Sequence, residues 1–279
     1  TDWPEHALLI SYTRGKDLPL KKQHALIVSV VQGAISKLQV QCVLEHAFPE
    51  LLDKIATART VLLESAVTVV RKDVRMKDIS ERLSCDLEFV TPLSNLIIDR
   101  ISTFRKSLKD QAEKEIAAYE LGTEEKCAAR VEGILELDKF VFPGTWDESK
   151  WNPPYCHIAI KKTLKRSFFH TPKHLGSQLT PTFTCAYQDP TGVDRRNEMP
   201  VTMVALVATA IFAGLAEWTN GTYAPISFSG DRYSSVYDAH VEALNDLIRT
   251  HPKNMHNILA GLLEYCRYVI VRFLSLAIY

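Results

Sequence analysis

Apolar residues recur every three or four positions through most of this chain, and charged residues fill the intervals. Over residues 21–46 the recurring set is Ile27, Val31, Ile35, Leu38 and Cys42, which forms one face of a helix. Pro49 breaks that pattern, and Leu52, Ile55, Ala56, Val61 and Leu62 restart it as far as about Val70. A charged connector, RKDVRMKD, leads to a shorter helix beginning near Asp78. The longest stripe is Leu93, Ile97, Ile101, Phe104, Leu108, Ala112, Ile116 and Tyr119, ended by Gly122. Thr123 follows as a helix cap, with Glu124 and Glu125 in the first turn, where the helix dipole favours acid. Further helices are predicted for CHIAIKKTLKRSFF, from Asp231 onward with His240 on its apolar face, and from about Pro252. Residues 171–200 read as irregular, with the turn-rich YQDPTG and DRRNEMP. No alternating strand of useful length occurs.

One helix is apolar on nearly every side. From Val201 to Ala216 the chain carries no formal charge, with Pro200 before it and Gly221 just beyond. Membrane crossing takes about 20 apolar residues and flanking basic residues. This run lacks both, so it predicts a central buried helix with no membrane role. The fold class expected is all-α: about eight to ten helices in one domain over 1–279, with 140–155 as the candidate place for a subdomain division. A chain that opens on Thr1 predicts a piece of a longer polypeptide.

Charge and cysteine usage narrow the function classes. The 33 basic and 33 acidic residues cancel, which leaves no global field to attract nucleic acid or an anionic membrane. The six cysteines are scattered without a CxxC pair. They predict reduced thiols, an intracellular setting, cytoplasmic or nuclear, and no metal or cofactor. His170 and His174 are four apart, but Pro172 between them favours a hydrogen-bonded loop over a two-histidine metal face. His251 and His256 flank a helix start, where capping and solvation account for them. No nucleophile elbow, phosphate loop or dinucleotide motif is present, so no catalytic residue is assigned.

Three readings of function remain. The first is an interaction module that binds a protein partner, with Trp146 and Trp151 of the proline-bearing loop FVFPGTWDESKWNPP as anchors. The second is a nucleic-acid-associated regulator using Lys161, Lys162, Lys165, Arg166 and Lys173, a segment without an acidic residue. The third is an enzyme or small-molecule binder with a pocket lined by Glu217, Trp218, Tyr233, Tyr237 and His240, since helical bundles place polar sites on facing helices.

Several stretches together carry a family likeness. They are ALVATAIFAGLAEWTNG followed by FSGDRYSSVYDAHVEALNDL and, upstream of both, LIIDRISTFRKSLKDQAEKEIAAYEL, then FVFPG and CHIAIKKTLKRSFF. In this order they resemble an uncharacterised all-helical domain of mushroom-forming (basidiomycete) fungi, over about residues 22–270. The resemblance implies a helical domain found at the end of longer proteins, with no reaction and no catalytic residues to carry over.

Overall fold

The computed structural model describes residues 3–10, 18–49, 51–70, 73–144 and 152–276. The chain is all-α, with ten α-helices and no strand among the described residues. They are α1 (Ala25–Leu44), α2 (Leu51–Val70), α3 (Met76–Cys85), α4 (Leu87–Glu113), α5 (Glu124–Leu135), α6 (Ile158–Phe168), α7 (Leu175–Leu179), α8 (Val201–Ala216), α9 (Gly230–Thr250) and α10 (Pro252–Leu276). Two compact units emerge, Thr1–Phe104 and Arg105–Tyr279. The boundary between them falls inside α4.

In the first unit, α1 to α3 and the N-terminal part of α4 surround a mainly apolar interior, in which Gln23, Ser65 and Ser94 are the buried polar side chains among the described residues. Ile27, Val31 and Leu38 of α1 meet Val61 and Leu62 of α2, Ile79 and Leu83 of α3, and Phe89, Leu93 and Ile97 of α4. α1 and α2 approach closely because position 33 is glycine: a Cβ there would stand 2.3 Å from the Ser65 hydroxyl. The His24 ring caps α1, accepting the Leu26 amide at 3.2 Å. By length and apolarity alone α1 is also able to cross a bilayer. Its Ile27, Val30, Val31, Ala34 and Leu38 are buried in this unit's core.

α4 begins at Leu87, ahead of Leu93, where its apolar stripe begins. Asp86 explains the difference, since its Oδ1 accepts the amides of Glu88 (2.9 Å) and Phe89 (3.2 Å) and so caps the first turn. Pro92 is accommodated inside the helix. The same helix stops at Glu113, before Gly122. Ile116 and Tyr119 sit instead on a tighter 3-10 turn, closed by Glu120 in the left-handed conformation (φ 51°). Thr123 occupies the N-cap of α5, but its side chain makes no capping bond there.

The second unit is built around α8, whose residues from Met203 to Ile211 are all buried. α9, α6, α5 and the 3-10 turn pack around it, and α10 packs on α6 and α9. Two glycines permit the closest approaches. A Cβ on Gly214 would meet Ile116 at 3.0 Å, and one on Gly221 (φ +81°) would lie 2.4 Å from the Glu124 carbonyl oxygen. Glu217, just after α8, is fully enclosed and bound by Lys109 of α4. Its carboxylate also accepts the Ile226 amide at 2.6 Å, while Lys109 donates to the Ile226 carbonyl at 3.1 Å. This closed set ties α4 to the loop after α8. Burial opposes the charge on Lys109, but its bonds to Glu113 and Glu217 prevail and hold its pKa above the usual lysine value.

Candidate functional site

The part of the second unit richest in chemistry lies along α10. The segment from Phe183 to Pro200 contains no helix or strand, so its polar groups are satisfied by local side chains and by α10. The turn DPTG is organised by Asp189, whose carboxylate accepts the amides of Thr191, Val193 and Asp194. Those bonds, that of Asp194 foremost, hold the Asp189 pKa down to about 2. Gly192 supplies the positive φ (67°) that this turn requires. Two backbone bonds fix the far end: Glu198 N–H donates to Thr184 C=O at 3.1 Å, and Met199 N–H to Leu259 C=O of α10 at 3.1 Å.

This path brings four functional side chains around His256, which is buried in the first turns of α10. Its Nδ1 lies 2.6 Å from Glu198 Oε1, and its Nε2 lies 3.1 Å from Asp194 Oδ1. The Cys185 sulfur is 3.9 Å from both Nδ1 and Oε1. Tyr187 stacks on the imidazole with centroids 5.0 Å apart, and its amide donates to Glu198 Oε1 at 3.2 Å. Arg196 completes the chain, donating to Asp194 and to Asn257 Oδ1, each at 2.7 Å. Burial opposes a charged His256, but the bonds to Glu198 and Asp194 outweigh it, so its pKa rises above the usual histidine value. Burial, aided by the charge of Glu198, pushes the Cys185 thiol upward. A thiol so disfavoured as thiolate is a poor nucleophile. Cys185, Glu198 and His256 together offer sulfur, oxygen and nitrogen donors within 4.8 Å of one another.

Asn257 connects this cluster to a cleft of about 430 Å³ between α6 and α10, lined by Pro153, Cys156, Lys161, Asn254, Asn257, Ile258, Gly261 and Leu262. The size falls within the ~300–1,000 Å³ range of ligand pockets. Gly261 helps to open it, since a Cβ there would meet nothing within 4 Å. α6 is positioned by His157, whose Nδ1 caps the Ala159 amide and whose ring stacks on Tyr119 at 4.1 Å.

The residues singled out in the sequence separate into distinct places. Lys161 lines the cleft, and Lys165 lies over the Tyr265 ring at 5.0 Å. Lys162 and Arg166 both turn to the buried carboxylate of Glu115. Lys173 is exposed in the following loop. Within the pocket once drawn around His240, Glu217 faces Lys109, and Trp218 is half-buried against Tyr223. Tyr233 and Tyr237 are buried on α9. His240 Nδ1 meets the Tyr155 hydroxyl at 3.1 Å, and the Phe140 ring packs edge-on against it. Glu217 and His240 therefore have separate partners. Burial lowers the His240 pKa to about 4. Trp146 and Trp151 lie outside the described residues.

The sequence reading missed the cluster on α10. His256 looked like a capping or solvated residue at a helix start, whereas it is enclosed by a segment 58 and more positions upstream. Cys185 and Glu198 are 13 apart, a separation that matches no short metal motif. The only local signal was the density of charge in DRRNE.

Residues 33–247 match a family described as a domain of unknown function, DUF6532. The match covers most of the chain, and the chain belongs to that family. No curated protein and no solved structure matches it.

Proposed function

We propose that this member of a family of unknown function is a binding module without catalytic activity, and that the α6–α10 cleft receives an extended acidic segment of a protein partner. The observation that carries this reading is the lining of the cleft. Lys161 of α6 lines one wall, and Asn254 and Asn257 of α10 line the other together with apolar Ile258 and Leu262. Such amides match a peptide backbone, the ammonium matches a carboxylate, and the apolar floor matches a side chain between them.

The fate of the other basic residues favours protein over nucleic acid. Lys162 and Arg166 are engaged by Glu115, which leaves a local cation where a duplex would need a row of them. An intracellular setting and the fungal origin implied by the resemblance belong to the same proposal.

The test is selection of short peptides from a displayed library on the purified domain. The reading expects acidic sequences whose affinity falls at least tenfold on Lys161→Glu. Selected peptides indifferent to that change would overturn it. So would duplex DNA binding that depends on salt and on Lys162 and Arg166.

A further inference from the structure

We propose that Cys185, Glu198 and His256 form a transition-metal site that takes zinc, with Asp194 as the carboxylate that orients the histidine. This inference stands apart from the reading of the cleft.

The donor set is the first argument. A thiol sulfur, a carboxylate oxygen and an imidazole nitrogen are the three side-chain donors that zinc accepts, and their mixture suits its borderline softness. Glu198 is 8% exposed and His256 2%, so two of the three are withdrawn from water. Cys185 is half-buried, which leaves one side of the site open for a water molecule as fourth ligand.

Distances are the second argument. Tetrahedral zinc with bonds of about 2.3 Å to sulfur and about 2.0–2.1 Å to nitrogen and oxygen requires about 3.5 Å between sulfur and nitrogen, and about 3.3 Å between nitrogen and oxygen. The corresponding separations are 3.9 Å for Cys185 Sγ to His256 Nδ1 and 2.6 Å for His256 Nδ1 to Glu198 Oε1. The first has to close by about 0.4 Å and the second to open by about 0.7 Å. The metal then takes the place of the Cys185 thiol proton and of the proton lying between His256 and Glu198.

The third argument comes from the far side of the imidazole. A metal-bound histidine nearly always gives its other ring N–H to a carboxylate, a backbone carbonyl or a water, which fixes the ring and its tautomer. His256 Nε2 lies 3.1 Å from Asp194 Oδ1, a close ion-pair contact that needs only a turn of the ring to align as a hydrogen bond, and Arg196 grips that carboxylate in turn. The Asp189 turn sets Asp194 in place, and the Tyr187 amide does the same for Glu198. Two independent backbone devices thus aim the carboxylates at opposite edges of one ring. Bound metal would fasten the irregular segment to α10.

Equilibrium dialysis of the purified domain against zinc, followed by metal analysis, tests the site. One zinc per chain is expected in the wild type. The cobalt-substituted protein should show a thiolate-to-cobalt charge-transfer band that disappears in Cys185→Ser, a change at a half-exposed position that circular dichroism can check for folding. Asp194→Asn should weaken zinc by roughly 10–100-fold. Zinc retained well below one per chain would overturn the proposal, as would a cobalt spectrum unchanged in Cys185→Ser.

Discussion

In the first unit the interior between α1, α2, α3 and α4 buries no charged side chain among the described residues, and its ion pairs, such as His6 with Asp78, Lys37 with Glu64 and Arg82 with Asp86, are partly exposed at the margin. Among the described residues, the buried charged side chains and histidines all belong to the second unit: Arg105, Lys109, Glu115, His157, Glu198, Glu217, His240 and His256. Burying a charge costs free energy unless it is paired and hydrogen-bonded. A unit that buries so many holds its chain by specific polar contacts as well as by apolar packing, and chemistry is to be sought there. Within it a second contrast appears. Lys109 and Glu217 close on each other and on the Ile226 backbone. The cluster on α10 instead keeps three different donors together beside an open cleft.

The largest effect predicted to sharpen this contrast comes from breaking the closed pair. Lys109→Met leaves the fully enclosed Glu217 carboxylate without its cation and is expected to cost about 3–5 kcal/mol. Chemical denaturation measures it, and a loss under 1 kcal/mol would show that the pair does not hold the unit. In the first unit, Leu62→Ala opens an apolar cavity and is expected to cost about 2–5 kcal/mol by the same measurement. Its loss should not vary between pH 4 and pH 7, because no buried charged group adjoins the apolar cluster there.

The next effect is a loss of stability between pH 6.5 and pH 4 that arises from two buried histidines of the second unit. Burial lowers the pKa of His240 to about 4, and burial together with the charge of Arg130 does the same for His157. Each folded value lies below the unfolded one of 6.5. The stability held by the neutral rings is therefore complete above pH 6.5, falls as pH drops toward 4, and levels off below that. Each ring contributes a slope of at most about 1.4 kcal/mol per pH unit. His240→Phe should flatten the fall in melting temperature between pH 6.5 and pH 4, and an unchanged slope would contradict the assignment.

Particular residues show what the sequence made legible. The uncharged run of α8 between Pro200 and Gly221 and the three-to-four spacing in α1 and α4 identified helices, because burial on every side or on one face leaves a pattern that a single chain displays. Helix ends were less visible. The start of α4 depends on Asp86 finding two amides, and its end depends on Ile116 leaving the helix to pack on Gly214. The cluster around His256 left no periodic trace at all. Its members come from an irregular segment and a distant helix, and only the fold brings them together. His240 illustrates the converse, since its apolar setting was evident from spacing whereas its bond to Tyr155 was not.

The smallest stability effect bears most directly on the proposed function. Gly261→Leu points into open space on the cleft wall and replaces a poor helix former with a good one. It should leave stability unchanged or raise it by up to about 0.8 kcal/mol. Calorimetric titration of a selected acidic peptide into the wild type and into Gly261→Leu is the decisive measurement. The account predicts at least a tenfold loss of affinity in a variant that melts no lower than the wild type. Equal affinity for the two proteins would contradict it and move the binding surface away from α10.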